Sequence, residues 1–348
     1  MTMVISRTPH RVSFFGGGSD YPAWYRQEGG AVLSTSIDKY CFLTCRYMPS
    51  FFQTRYRVVW SHIENVNSVS EILHPAVRVG LRDYGFETGP GLEIHYQGDI
   101  PARTGMGSSS AFAVGLIHAL LALRGEILDA HALALQAIRL EQELLKDVVG
   151  SQDQVAAAYG GLNIIRFATD GTIMVEPLAL SADRKADFNN HLMLFYTGTS
   201  RLASEIAHSV IGSLAEKQAS IRRMHAMVDE AAAVLRSGDL HDFGSMLDET
   251  WNLKRGLSGS VSNPHIDEMY ATGRAAGALG GKLLGAGSSG FMLFFAPPER
   301  HKAIREALKH YLYVPFSLDD TGTQLIYQST ELQASSRNPA DRSSSAGS

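Results

Sequence analysis

Two periods divide the chain. In its N-terminal part, β-branched and aromatic residues form short runs broken by Gly, Pro and Asn at 4–6, 12–15, 31–36, 41–46, 55–60 and 92–96, and each run predicts a strand. Residues 108–123 are nearly all apolar, which predicts a helix buried on most sides. A second helix is expected over 129–146, with Asp129 as its N-cap, Leu133, Ala137, Leu140 and Leu144 as an apolar stripe, and Gln136, Arg139, Glu143 and Asp147 as a polar face. One row of that helix breaks the pattern. Ala134, Ile138, Glu141 and Leu145 should flank the buried face, yet a carboxylate sits in the middle, where burial without a partner is costly.

Strands at 161–167 and 172–176 follow, and the polar stretch 181–187 reads as a connection between domains, with the boundary near residue 185. A strand at 191–196 opens the second unit. Helices over 202–236, 240–255 and 264–278, strands at 282–284 and 291–295, a helix over 298–310 and two closing strands to about 328 complete it. The reading is an α+β protein of two domains, 1–185 and 186–333, with a serine-rich tail, 334–348, whose composition predicts disorder.

Composition narrows the function. A chain of 348 residues that is 45% hydrophobic can bury a sizeable core in two domains. Its 31 basic and 35 acidic residues give a net charge of −4, which argues against a dedicated nucleic-acid or polyanion binder, so any phosphate must be bound locally. No apolar run approaches the roughly 18 residues of a membrane span and no signal core opens the chain, so a soluble cytoplasmic protein is expected. Cys41 and Cys45 are expected to be buried thiols, being too few for a disulfide framework or a zinc site.

Many of the 33 glycines are clustered, and the clusters carry the candidate chemistry. Residues 101–111, PARTGMGSSSA, place a glycine turn and serines between a strand and the apolar helix. Orphan amides and the positive end of the helix dipole make such a turn an anion site, and serine hydroxyls can cap the helix or complete a Mg2+ shell. No Lys follows the glycines, so this is not a Walker A loop. Residues 282–295, KLLGAGSSGFMLFF, contain GxGxxG, but a strand pattern follows where a dinucleotide site needs a helix; a glycine hairpin packed close to another backbone fits better. In 9–22, PHRVSFFGGGSDYP, Arg11 could face a phosphate and Asp20 a set of hydroxyls, or Asp20 could simply form the turn. In 149–161, a carboxylate, Asp153, lies in the first turn of a short helix, where dipole stabilisation alone would also explain it.

In this order the four segments resemble the GHMP kinase superfamily over about residues 4–329, with Met106 for the usual Leu and Ser110 for Ala in the central motif, and fewer glycines in GAGSSG. Within it, residues 10–40, HRVSFFGGGSDYPAWYRQEGGAVLSTSIDKY, together with TGTSR at 197–201 and the group Trp251, Lys254 and Arg255, are similar to the bacterial heptose 7-phosphate kinases, which use ATP to phosphorylate an anomeric hydroxyl. Fucokinase-like domains share the Gly-Gly and Asp pattern. Galactokinases carry Gly-Glu-His-Thr-Asp where this chain has Gly-Gly-Gly-Ser-Asp.

The resemblance implies an N-terminal α/β nucleotide domain, a C-terminal α/β sandwich, and ATP with Mg2+ between them. It implies Asp153 as general base beside Arg11, and Gly105, Met106, Gly107, Ser108, Ser109 and Ser110 over the ATP phosphates. Ser109 and an acidic residue of the next helix would hold Mg2+; the periodicity favours Glu141 over the solvent-facing Glu143, and the resemblance agrees. Gly17, Gly18, Asp20 and Tyr21 would meet the sugar, and Arg201, Lys254 and Arg255 are the candidates for a distal phosphate. The partners expected are a small-molecule sugar phosphate and ATP, with neither nucleic acid nor membrane, and with homodimerisation left open. A catalytically silent sugar- and ATP-binding regulator is the rival of another class; retention of Arg11, Ser109, Glu141 and Asp153 together argues against it.

Overall fold

The computed structural model describes residues 3–198 and 217–329. In chain order the first elements are β1 (Met3–Phe15), α1 (Pro22–Glu28), β2 (Gly30–Tyr47), β3 (Tyr56–Val59), β4 (Ile63–Val66), α2 (Pro75–Asp83), β5 (Leu92–Gly98), α3 (Ser108–Leu123) and α4 (Ala130–Ile138). Then come α5 (Gln152–Tyr159), β6 (Leu162–Phe167), β7 (Ile173–Pro177), α6 (Ala182–Asn190) and β8 (Leu192–Tyr196). The last group is α7 (Gln218–Ser237), α8 (Leu240–Arg255), α9 (Pro264–Ala275), β9 (Gly280–Leu283), β10 (Phe291–Phe295), α10 (His301–Ala307), β11 (Leu312–Tyr313), β12 (Leu318–Asp319) and β13 (Gln324–Gln328).

Among the described residues two sheets form. The larger runs β13-β1-β2-β5-β3-β4, with β6 and β12 also pairing β2 and β7 pairing β6; the smaller runs β11-β8-β10-β9. Strands expected as separate pieces are continuous. β1 pairs β2 from Met3 opposite Arg46 to Phe15 opposite Leu33, and its register shifts at Pro9/His10, where proline has no N–H to give the ladder. α3 packs under the large sheet with every residue from Ser110 to Leu123 buried, so its near-absence of polar positions is explained. Both cysteines are buried free thiols.

A common core joins the two units. Phe14 and Phe15 of β1 meet Phe243 of α8 edge-on, with ring centroids 5.6 and 5.1 Å away, and Phe188 of α6 and Phe295 of β10 complete the cluster.

Three expectations need correction. The stretch 181–187 is not a connection but the start of α6, capped by Ser181 accepting from the Arg184 amide; Phe188 is its one buried residue, too little to show a helical period. The helix expected over 129–146 ends as a regular α-helix at Ile138 and continues as a π turn, Arg139–Leu144. The closing strands, expected in the second unit, return to the first sheet: β12 pairs β2 and β13 pairs β1. The helix expected over 202–236 is described only from Gln218, and the tail 334–348 lies outside the described residues. α1 and α2, not anticipated, each begin with proline at the first turn, where its missing N–H costs nothing.

Candidate active site

The site grows from the turn before α3. Gly105 and Gly107 take φ of 78° and 73°, a left-handed backbone natural to glycine, and Gly107 caps the helix so that the amides of Ser108, Ser109 and Ser110 open its N-terminus. Met106 is fully buried and anchors the turn, while Ser109 is exposed and Ser110 buried.

Directly beneath, Arg11 of β1 meets Asp153 of α5. Arg11 Nε donates to Oδ1 and Nη2 to Oδ2, each at 2.7 Å, and Nη1 donates to the Gly105 carbonyl at 2.7 Å. A β-carbon at Gly107 would lie 3.4 Å from Asp153 Oδ2, so the carboxylate lies against the phosphate-type turn. The Arg11 side chain is 6% exposed and that of Asp153 24%, leaving the carboxylate open to a ligand while its partner is enclosed.

α5 supplies more than one group. Gln152 donates to Asp20 Oδ2 at 2.9 Å, and Gln154 donates to Glu141 Oε2 at 2.5 Å, so three consecutive residues at its N-terminus reach three of the candidate side chains. Asp20 is buried, its Oδ1 also accepts from the Gly18 amide at 3.1 Å, and burial together with nearby Asp153 pushes its carboxyl up to about 6. Tyr21 is half-buried beside it, its hydroxyl pushed upward by burial and by Asp20. Gly17 borders open space.

Glu141 lies in the π turn, 2% exposed, whereas Glu143 is exposed. Ser110 Oγ donates to Glu141 Oε2 at 2.6 Å. Burial dominates and lifts the carboxyl to about 7, against hydrogen bonds from Ser110, Ser109 and Gln154. Among the described residues no cation pairs with it. A buried carboxylate beside an exposed serine hydroxyl fits Mg2+, which takes one or two carboxylate ligands and completes its shell with water and phosphate oxygens. No larger cluster of His, Cys, Asp and Glu able to hold a metal occurs among the described residues.

The second glycine segment crosses the first. A β-carbon at Gly285 would fall 2.3 Å from Gly105 Cα, and one at Gly290 2.2 Å from the Thr104 carbonyl oxygen. Such backbone-on-backbone contact is what its glycines and the strand after them suggested. Lys282 of β9 is buried and donates to the Phe14 carbonyl at 2.8 Å.

The three basic candidates separate. The Lys254 ammonium donates to the carbonyls of Leu283 (2.9 Å) and Gly285, and burial with nearby Arg11 lowers it to about 7. Arg255 pairs with Asp267 at 3.3 Å and borders an open cavity of about 400 Å3 lined also by Asn252, Ser258 and Ser262. Arg201 lies outside the described residues. Sequence reasoning missed Gln152, Gln154 and Lys282, because Gln in isolation carries no chemical signature and Lys282 reads only as the edge of a strand.

Residues 70–161 match the model of the GHMP kinases N terminal domain, and residues 231–314 that of the GHMP kinases C terminal region. The chain belongs to the GHMP kinases. Family membership makes ATP-dependent phosphoryl transfer its class of reaction. This GHMP kinase is 28% identical over 325 residues to D-glycero-alpha-D-manno-heptose 7-phosphate kinase of Campylobacter jejuni, covering 89% of this chain and 94% of that one. It is 26% identical over 332 residues to the bifunctional fucokinase/GDP-fucose pyrophosphorylase of Arabidopsis thaliana, covering 87% of this chain and 31% of that one. A crystal structure of a D-glycero-D-manno-heptose 1-phosphate kinase from Bacteroides thetaiotaomicron shares the fold, with a TM-score of 0.76 at 23% identity over 93% of this chain and 99% of that chain. No helix among the described residues is long and apolar enough to cross a membrane.

Proposed function

We propose that this kinase transfers the γ-phosphoryl group of ATP to the anomeric hydroxyl of D-glycero-D-manno-heptose 7-phosphate, giving the 1,7-bisphosphate toward nucleotide-activated heptose. The observation that carries phosphoryl transfer to a hydroxyl is the Arg11–Asp153 pair against Gly107, with Asp20 alongside. In this reading the helix amides at Ser108, Ser109 and Ser110 and the glycines around them hold the phosphates. Asp153 accepts the hydroxyl proton as that oxygen attacks phosphorus, and Arg11 keeps the carboxylate ionised while offsetting charge on the transferred group. Ser109 and Glu141 would hold Mg2+, which neutralises phosphate charge. Asp20, Tyr21, Gly17 and Gly18 face the sugar.

With Lys254 engaged by two carbonyls, Arg255 and Arg201 are the candidates left for the distal phosphate. The loop lining the Arg255 cavity is tied to the second glycine segment by the Ser288 amide donating to the Val261 carbonyl at 2.8 Å. A second reading, a fucokinase-like enzyme on an unphosphorylated sugar, is favoured by Arg255 already being neutralised by Asp267.

ADP release should be followed with heptose 7-phosphate, heptose 1-phosphate, the unphosphorylated heptose, fucose, mannose and galactose. Turnover confined to the 7-phosphate supports the proposal. Turnover with fucose or free heptose transfers it to the second reading, and turnover with the 1-phosphate moves the acceptor to another hydroxyl.

A further inference from the structure

Lys254 does not face an open cleft with a free ammonium. It stands in the last turn of α8, and its Nζ spans two carbonyls of the second glycine segment, those of Leu283 and Gly285. Between them, the Leu284 carbonyl is directed away, toward the phosphate turn: a β-carbon at Gly105 would sit 2.5 Å from that oxygen. Gly105 in turn gives its own carbonyl to Arg11 Nη1, and the rest of the same guanidinium grips Asp153. One continuous line of contacts therefore runs from Lys254, through Leu283–Gly285 and Gly105, to the reacting pair. Every joint in it is either a hydrogen bond or backbone against backbone, and its two side-chain links, Lys254 and Arg11, are each fixed by more than one hydrogen bond.

We propose that Lys254 is a positioning residue that holds the second glycine segment against the phosphate turn and thereby sets the turn over Arg11 and Asp153. The assignment rests on residues 105–110 being the ATP site, and it is independent of which sugar is accepted. Two of the three ammonium hydrogens are committed to carbonyls, which separates this role from that of a distal-phosphate ligand. The physical cost of losing Lys254 is two carbonyls left without their charged donor at the place where the two glycine segments touch.

The test separates the nucleotide from the sugar. Lys254→Met and Lys254→Arg are compared with wild type for Mg·ATP affinity by calorimetry, for kcat, and for KM of whichever sugar the enzyme accepts. Lys254→Met should weaken Mg·ATP binding by at least about tenfold and lower kcat by a similar factor, with the sugar KM within about twofold of wild type. Lys254→Arg, which still presents a charged double donor, should recover most of both losses. A raised sugar KM with unchanged ATP affinity would overturn the inference in favour of direct sugar contact, and three unchanged parameters would overturn it outright. Should Lys254→Met fail to fold, Lys254→Gln, a neutral double donor, takes its place with the same expected split. Wild-type protein that binds no Mg·ATP would instead remove the nucleotide reading itself.

Discussion

Asp20 lies against the α-carbon of Gly150: a methyl group added there would fall 1.9 Å from Oδ2, which also accepts from Gln152. The carboxylate is thus held by a hydrogen bond on one side and by the absence of a side chain on the other. Gly150→Ala should push Asp20 from its place and raise the sugar KM by about tenfold or more while Mg·ATP affinity stays near wild type. Steady-state kinetics beside ATP calorimetry decide it; a nucleotide-side loss would refute the placement of Asp20 toward sugar.

Asp153 has a different signature. Asp153→Asn keeps the shape but removes the proposed base and half of the charge pairing with Arg11. Turnover should drop by at least roughly 100-fold with ATP still bound. Near-normal kcat in this variant would sink the assigned role.

The two glutamates of the π turn offer a paired comparison. Glu141 is buried on Ser110 and Gln154, and Glu143 is exposed. Glu141→Gln should raise the Mg2+ concentration needed for half-maximal rate by about tenfold, and Glu143→Gln should be close to silent. A Mg2+ titration giving the reverse order would show that the other face carries the metal.

Proton uptake by Glu141 also has a stability consequence. Burial raises its carboxyl from 4.5 to about 7, so across that interval the folded, ligand-free protein holds a proton that the unfolded chain has released. The associated stabilisation is complete below the unfolded value and is lost as pH rises through the folded one. Buried His10 and His118 and half-buried His74, each lowered to about 4, act in the opposite direction over part of the same range, so the contrast must be with a variant. Relative to Glu141→Gln, wild type without Mg2+ should lose on the order of 3 kcal/mol between pH 4.5 and 7 in urea unfolding. A pH-independent difference would mean the carboxyl is not held protonated.

Much of this site was legible because chemistry interrupts pattern. Glu141 stood out as a carboxylate inside an apolar row, and the strand after GAGSSG argued against a dinucleotide loop and for close packing on another backbone, which the structure shows to be that of Thr104 and Gly105. The 108–123 helix was read to the residue because its apolar run is bounded by the Gly107 turn and serines at one end and by Arg124 and Gly125 at the other. Less visible were features that exist only through contact. Gln152 and Gln154 are ordinary solvent-facing types until folding places one on Asp20 and the other on Glu141. α6 escaped because a single Phe188 carries its burial, and the π turn escaped because it closes the helix, leaving too few residues after it to show the shift in phase.

The return of β12 and β13 to the first sheet means the chain crosses between its two halves twice, and the ends of the described chain lie side by side, with the Ser329 amide donating to the Met3 carbonyl at 3.0 Å. A fragment cut at residue 185 would lose the strand that covers the edge of β1 and would bare Phe14 and Phe15 to water. Such a fragment should expose apolar surface that the whole chain buries. Heating should take both sheets apart in one cooperative step, and a permuted chain whose old ends are linked and whose new ends open at an exposed loop such as 87–90 should still fold.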